Sequence, residues 1–520
     1  MVVAQGIEEM EIPVGREVAV ADSERGSEGA FMAIGAGQGA KGMFGNRGEG
    51  QSVSVRRAFI GDPYADRKRV DRVVADPHSG GETYVHPTDN GFLQPSSTPL
   101  STFGLDVDTA SYSNVRRFIA NGQLPPADAV RVEELINYFD YAYPAPKDDH
   151  TLAVQVDVSA CPWRPENRLA RIGVRAAASA EPPPANLVFL VDVSGSMGGD
   201  QRLPLVKSAL ALLVERLTEN DRVAIVTYAC GSGVALASTS GADKRAILLA
   251  IDRLTAGGST NGASGIVDAY SVAREGFIRG GANRVILCTD GDFNVGVTDR
   301  GALKDLIVRE RESKVFLSVL GFGMGNLKDA TMETLADAGN GNYAYIDTLV
   351  EARRVLVERM RQTLVTVAKD AKIQVEFNPR RVAAYRLIGY ENRLLAKEDF
   401  ADDRKDAGEV GDGHAVTALY EIVPAGGAVP GADPALRYQP VPPAVATDPA
   451  VSDELMTVKV RYQAPEGSVS RLIEHPVRDT DATPARDHAF ATAVAAFGLR
   501  LRGASELDGF AWDRIVALAE

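Results

Sequence analysis

Five oxygen-bearing side chains occupy positions from which they could share one ion. Asp192, Ser194 and Ser196 stand in Asp192-Val193-Ser194-Gly195-Ser196, Thr260 in Gly257-Gly258-Ser259-Thr260, and Asp290 just before Gly291-Asp292. Oxygen donors around a small cavity suit a hard divalent cation. Mg²⁺ fits best, because it takes a near-octahedral set of oxygens while keeping some of its waters; Mn²⁺ could substitute, whereas Ca²⁺ prefers more and longer bonds. Only Asp192 and Asp290 of the five carry charge, so the filled site would be close to neutral. That leaves the ion electrophilic, and an Asp or Glu of a protein partner is the natural last ligand.

The elements that must position these residues are legible around them. Asp192 ends the continuous apolar run NLVFLVDVS, Asp290 ends RVILCTD, and the loop carrying Thr260 leads into an amphipathic stretch from Gly262 to Phe277. Further apolar runs, RVAIVTYA, KVFLSVLGF and YAYI, alternate with helical patterns over Leu203 to Leu217, Ala302 to Glu312, Leu327 to Ala338 and Leu349 to Val367. Strands apolar throughout need cover on both faces, which predicts an α/β fold with a doubly wound, mainly parallel, Rossmann-like sheet over residues 185–370. Open sheets of this kind bind ligands at the carboxyl edge of their strands, where Asp192 and Asp290 fall.

Around this unit the pattern changes. Residues 1–95, with 11 glycines in the first fifty positions, offer too little apolar surface to offset ordering entropy, and disorder is expected. Residues 96–145 hold two short helical patterns. A period of two marks strands at 150–180 and again at 372–482, so a β-rich, sandwich-like domain with the α/β unit inserted is expected. Six prolines over 425–450 read as a long loop, and helices close the chain over 483–520.

Composition removes several classes of function. A net charge of −14 argues against a nucleic-acid partner. Three cysteines with no C-x-x-C pair, and six histidines with no H-E-x-x-H, leave no zinc or disulfide scaffold. No run of about 18 apolar residues predicts a membrane span, and the acidic N-terminus predicts no signal peptide. The serines lack a neighbouring histidine and a G-x-S-x-G elbow, so no catalytic role is expected of them. Taken alone, Asp192, Ser194 and Ser196 could be a helix-capping cluster, and Asp106 and Asp108 are expected to cap the helix after them. Asp292 and Asn294 are expected to shape their loop, with Asp292 able to brace a ligand from behind. Cys230 and Cys288, inside apolar runs, are expected to be buried.

The D-x-S-x-S motif, the distant Thr260 and the distant Asp290 together resemble the metal-ion-dependent adhesion site of the von Willebrand factor type A (VWA) family. By that resemblance Ser194, Ser196 and Thr260 touch the ion directly and Asp192 and Asp290 hold it largely through water. TDGDFNVG, the preceding FGLDVDTASYSNVRRFI and the β-rich region that follows are similar to the bacterial YfbK-like subgroup, over roughly residues 95–520. The resemblance implies a non-enzymatic, adhesion-like protein-binding module of the cell envelope, with the cytoplasm as the alternative in the absence of a signal. A second reading makes the chain an accessory subunit of an ATP-driven enzyme or remodelling complex. The absence of a G-x-x-x-x-G-K-[ST] motif then assigns the nucleotide to another chain.

Overall fold

The computed structural model describes residues 73–75, 82–85 and 88–520, except 148, 180, 260–261, 292–299, 326, 404, 406, 432–452, 468 and 481–482. Ahead of the α/β unit come strands β1 (Val73–Ala75), β2 (Thr83–Val85) and β3 (Leu100–Gly104), helices α1 (Ala110–Ala120) and α2 (Val132–Asn137), and strands β4 (Leu152–Cys161) and β5 (Arg164–Ala176). Part of the stretch expected to be disordered is therefore structured. β1 and β2 pair antiparallel, Thr83 N–H donates to Leu327 O at 3.0 Å, and Glu82 and Tyr84 are buried. Residues 1–72 lie outside the described residues. β3 is a strand inside the segment read as helical. Five residues are too short for a period to show, and pairing with a later strand decides the matter.

The α/β unit follows as β6 (Ala185–Asp192), α3 (Leu203–Val214), β7 (Arg222–Tyr228), β8 (Ser232–Ser240), α4 (Lys244–Asp252), α5 (Gly262–Glu275), β9 (Ala282–Thr289), α6 (Arg300–Glu312), β10 (Phe316–Phe322), α7 (Asp329–Ala338), β11 (Tyr343–Ile346), α8 (Leu349–Arg353) and α9 (Met360–Leu364). The sheet runs β11-β10-β9-β6-β7-β8, parallel except for β8 at the edge. Every residue of β6 is buried. Leu187, Phe189 and Val191 enter one core with α3 and α4, while Val188 and Leu190 enter another with α5 and α7. That two-sided burial is the reason the run is apolar without alternation. The chain builds outward from β6 first through β7 and then, on the other side, through β9, so the strand order reverses between β6 and β9.

The pattern from Leu349 to Val367 is not one helix. α8 gives way to a π-helical turn at Arg354–Glu358, where Arg359 N–H reaches back to Arg354 O at 2.8 Å, and α9 ends before a strand that begins at Thr366. The widened turn still sends Leu356 and Leu364 into the same core.

The remainder comprises β12 (Thr366–Phe377), β13 (Val382–Ile388), β14 (Val410–Gly411), β15 (Ala415–Pro424), β16 (Glu454–Gln463), β17 (Ser470–Arg478), α10 (Arg486–Leu501) and α11 (Trp512–Ala519). One sheet runs β13-β15-β5-β4 and the other β14-β12-β16-β17, with β3 paired to β12. Their facing sides share one core that includes Phe103, Ile172, Val375, Tyr385 and Tyr420. β4 and β5 from before the α/β unit thus complete a sandwich with strands from after it.

Asp108 does not cap α1. Its carboxylate accepts from Tyr343 N–H at 2.8 Å and pairs with Arg393 at 3.2 Å, tying α1 to the α/β sheet and the sandwich. α2 is buried along its whole length, including Glu133. Glu133 Oε2 has no hydrogen-bond partner, and burial together with the nearby Glu391 pushes the carboxyl up to about 7 from 4.5. The folded state therefore holds a proton there that the unfolded state releases between those two values, so this group's contribution to stability falls as pH rises across that window. Glu133→Gln is expected to stabilise the fold at pH 8, by an upper bound of about 3 kcal/mol, raising the melting temperature there and changing it little at pH 4.5. Equal shifts at both pH values in thermal melts would refute this.

Candidate metal site

β6 delivers Asp192 and β9 delivers Asp290 to the carboxyl edge at the point where the strand order reverses. Both are buried, at 0% and 1% exposure. Asp192 Oδ1 accepts from Ser194 N–H at 2.9 Å, and Oδ2 accepts from the Tyr228 hydroxyl at 3.1 Å and the Thr289 hydroxyl at 3.3 Å. Burial raises the Asp192 carboxyl above its ordinary value against the pull of Ser194, and the charge of Asp290 adds to the rise. The Ser194 and Ser196 hydroxyls lie 3.0 Å apart, beside the 3-10 turn Gly195–Gly198.

The second loop is bonded to the first. Gly195 N–H donates to Gly258 O at 2.9 Å and Gly257 N–H to Val193 O at 2.8 Å. Gly258 has φ +87, and a Cβ there would sit 2.6 Å from Cys230 Sγ, so only glycine lets the loop approach this closely. Thr260 lies outside the described residues, as do Asp292 and Asn294; Ser259, next to Thr260, is described. Cys230 corrects an expectation. It is exposed rather than buried, and its sulfur accepts from Ser259 N–H at 3.2 Å, which lowers the thiol below its usual range. The apolar run ends one residue too early to enclose it. Cys288 is buried.

The structure brings together Asp192, Ser194, Ser196 and Asp290. The donor set is all oxygen and fits a hard cation. Each Asp192 oxygen already accepts from protein donors, a state suited to holding an ion through water rather than directly. A clustering of Asp108, Glu134 and Glu333, with carboxylate oxygens within 4.8 Å of one another, has Arg131 and Arg393 paired among it.

Arg202, unremarkable in sequence, is part of the rim. Its guanidinium lies 3.7 Å from Asp290 Oδ2 and donates to Ser196 O and Met324 O. It offsets the charge of Asp290 and opposes any cation arriving there. Arg202→Gln is therefore expected to tighten Mg²⁺ by roughly threefold to tenfold in calorimetric titration; weaker binding would contradict this. Tyr228 and Thr289 were also missed. Only their places at strand ends beside Asp192 could have marked them.

A family model for the von Willebrand factor type A domain matches residues 186–359, and one described as "Uncharacterized protein YfbK, C-terminal" matches residues 362–520. The chain is 46% identical over 457 residues to YfbK of Escherichia coli strain K12, covering 86% of this chain and 78% of that one. The chain belongs to the YfbK family. This chain carries a VWA domain followed by the YfbK C-terminal domain, and VWA domains are generally protein-interaction modules. The protein sll0103 of Synechocystis is 32% identical over 200 residues, 38% of this chain and 46% of that one. Among solved structures, a von Willebrand factor type A protein from Catenulispora acidiphila is 16% identical, with a TM-score of 0.40, over 71% of this chain and 86% of that one. Among the described residues of this YfbK-family chain no helix is long and apolar enough to cross a membrane.

Proposed function

We propose that this YfbK-family chain is a divalent-cation-dependent protein-binding module that captures an Asp or Glu of a partner, in the cell envelope. The observation that carries this reading is the pair of backbone hydrogen bonds, Gly195 to Gly258 and Gly257 to Val193, that closes the second loop onto the first beside Asp192, Ser194, Ser196 and Asp290. Bound Mg²⁺, or Mn²⁺ in its place, supplies a Lewis-acidic position for a foreign carboxylate. The chain's own residues prepare it. Ser194 and Ser196 present neutral oxygens, Thr260 follows the bonded loop, and Asp192 and Asp290 set the charge from beneath. Because most of these oxygens are neutral hydroxyls, the ion stays electrophilic, and the partner's carboxylate supplies the ligand that the chain leaves open.

The test is recovery of partner protein from a cell-envelope extract by the full chain, with EDTA, with EDTA followed by excess Mg²⁺, and with Asp192→Ala. The expected result is capture that EDTA abolishes, Mg²⁺ restores and Asp192→Ala lacks. Equal recovery in every lane rejects the reading.

A further inference from the structure

Where the α/β unit meets the sandwich, a cavity of about 260 Å³ opens beside the π-helical turn. Three guanidinium groups line it, Arg175 from β5 and Arg354 and Arg359 at the turn, together with His414 ahead of β15 and the carboxylates of Asp140 and Glu358. In a chain of net charge −14, this concentration of positive charge is against the trend. Asp140, with its side chain 78% exposed, pairs with Arg359, and Glu358 is also exposed, so three guanidiniums meet only two carboxylates, both at the solvent edge.

The arginines differ in how their donors are used. Arg175 Nη1 donates to Tyr143 O at 2.6 Å, and Arg359 Nη2 donates to Tyr138 O at 2.8 Å and to Asp140 at 2.6 Å. Arg354 lies over the Tyr138 ring, 3.8 Å from its centroid, and its Nη2 is buried with no hydrogen-bond partner. The ring face meets part of that charge, while the rest of the guanidinium lines the cavity. Burial, and then the charge of Arg354, hold Arg359 below its usual value; burial, and then Arg359, push His414 down to about 4. The histidine is therefore neutral near pH 7 and adds a ring N–H rather than a charge. π-helical turns themselves recur at ligand sites.

We propose that this cavity binds a small oxyanion, a phosphate group, through the guanidinium of Arg354, with Arg175 and Arg359 as flanking charge. Planar guanidinium forks match phosphate oxygens in geometry as well as sign. The cavity exceeds a bare phosphate in size, so a phosphate ester of a small molecule fits the same chemistry. The proposal is independent of the ion site and of the reading given to it.

The test titrates the full chain, at constant ionic strength held with NaCl, with inorganic phosphate, with glycerol phosphate and with glycerol. Phosphate and its ester are expected to bind and raise the melting temperature, and glycerol to do neither. Glycerol phosphate binding tighter than inorganic phosphate assigns the site to an ester, and equal binding assigns it to the free anion; either supports the site. Arg354→Gln is expected to weaken phosphate by roughly tenfold or more. Glu358→Gln, which removes an exposed negative charge facing the cavity, is expected to tighten it by roughly threefold, a gain that a misfolded chain cannot produce. Absence of phosphate binding at millimolar concentration, or binding that neither substitution changes, overturns the proposal.

Discussion

Asp192→Asn is expected to weaken Mg²⁺ binding by roughly 100-fold or more, about 2.7 kcal/mol, while the chain stays folded. The substitution removes one unit of negative charge beside a divalent ion, which at an effective dielectric near 20 is worth several kcal/mol before compensation. It keeps the shape. The amide oxygen can still accept from Ser194 N–H, and the amide nitrogen faces the Tyr228 and Thr289 hydroxyls, which can turn to accept instead of donate. Asp192→Ala, by contrast, strips three buried donors of their acceptor at once, so its loss of binding mixes charge with local collapse. Calorimetric titration with Mg²⁺, paired with thermal melts in EDTA, separates the two. A folded Asn variant that binds Mg²⁺ within about twofold of the parent would show that the carboxylate plays no part in holding an ion.

The parts of this site that were legible lie within a few residues of a strong signal. β6 reads as a buried strand because both of its faces meet a core, and Asp192 is conspicuous because it is a carboxylate at the end of such a run. Asp290 is found by the same logic on β9. The doubly wound sheet and the flanking sandwich follow from the change of apolar period, since four of the sandwich strands, β4, β5, β12 and β16, carry a period of two in the sequence, although of these only β16 alternates clearly in burial. What could not be read depends on contacts between distant segments. Arg202 is one charged residue before a helix until folding places it against Asp290 and Ser196. β8 gives a weak pattern because much of SGVALASTS faces solvent at the sheet edge. The π-helical turn is invisible to periodicity, which continues on either side of it, and so is the cavity it borders.

Glu82→Ala is expected to cost about 3–5 kcal/mol of stability, although it falls in a stretch whose composition suggested no fold. The Glu82 carboxylate accepts from both terminal nitrogens of Arg117, at 2.7 and 2.8 Å, from the Tyr84 hydroxyl at 2.6 Å and from Gly325 N–H at 2.8 Å. The two charged side chains are only 3% and 7% exposed. Burial alone would raise the Glu82 carboxyl, but the hydrogen bonds and charge of Arg117 outweigh it and hold the group below its ordinary value. Removing the acid leaves Arg117 with Asn114 and, at 3.4 Å, the Tyr84 hydroxyl as neutral side-chain acceptors, beneath the Phe118 and Tyr345 rings. An uncompensated buried cation is the costly outcome, more so than loss of the pair itself, so Glu82→Leu combined with Arg117→Met is expected to be less damaging than Glu82→Ala alone. Thermal melts of the single and double variants check the order, and a single variant melting within about 1 °C of the parent would sink the argument. The effect should also reach the ion site weakly. Gly325 loses its acceptor beside Met324, whose carbonyl anchors Arg202 next to Asp290. A change of roughly twofold to threefold in Mg²⁺ affinity is the expected size, because Arg202 keeps its bond to Ser196 O whether or not that loop is held.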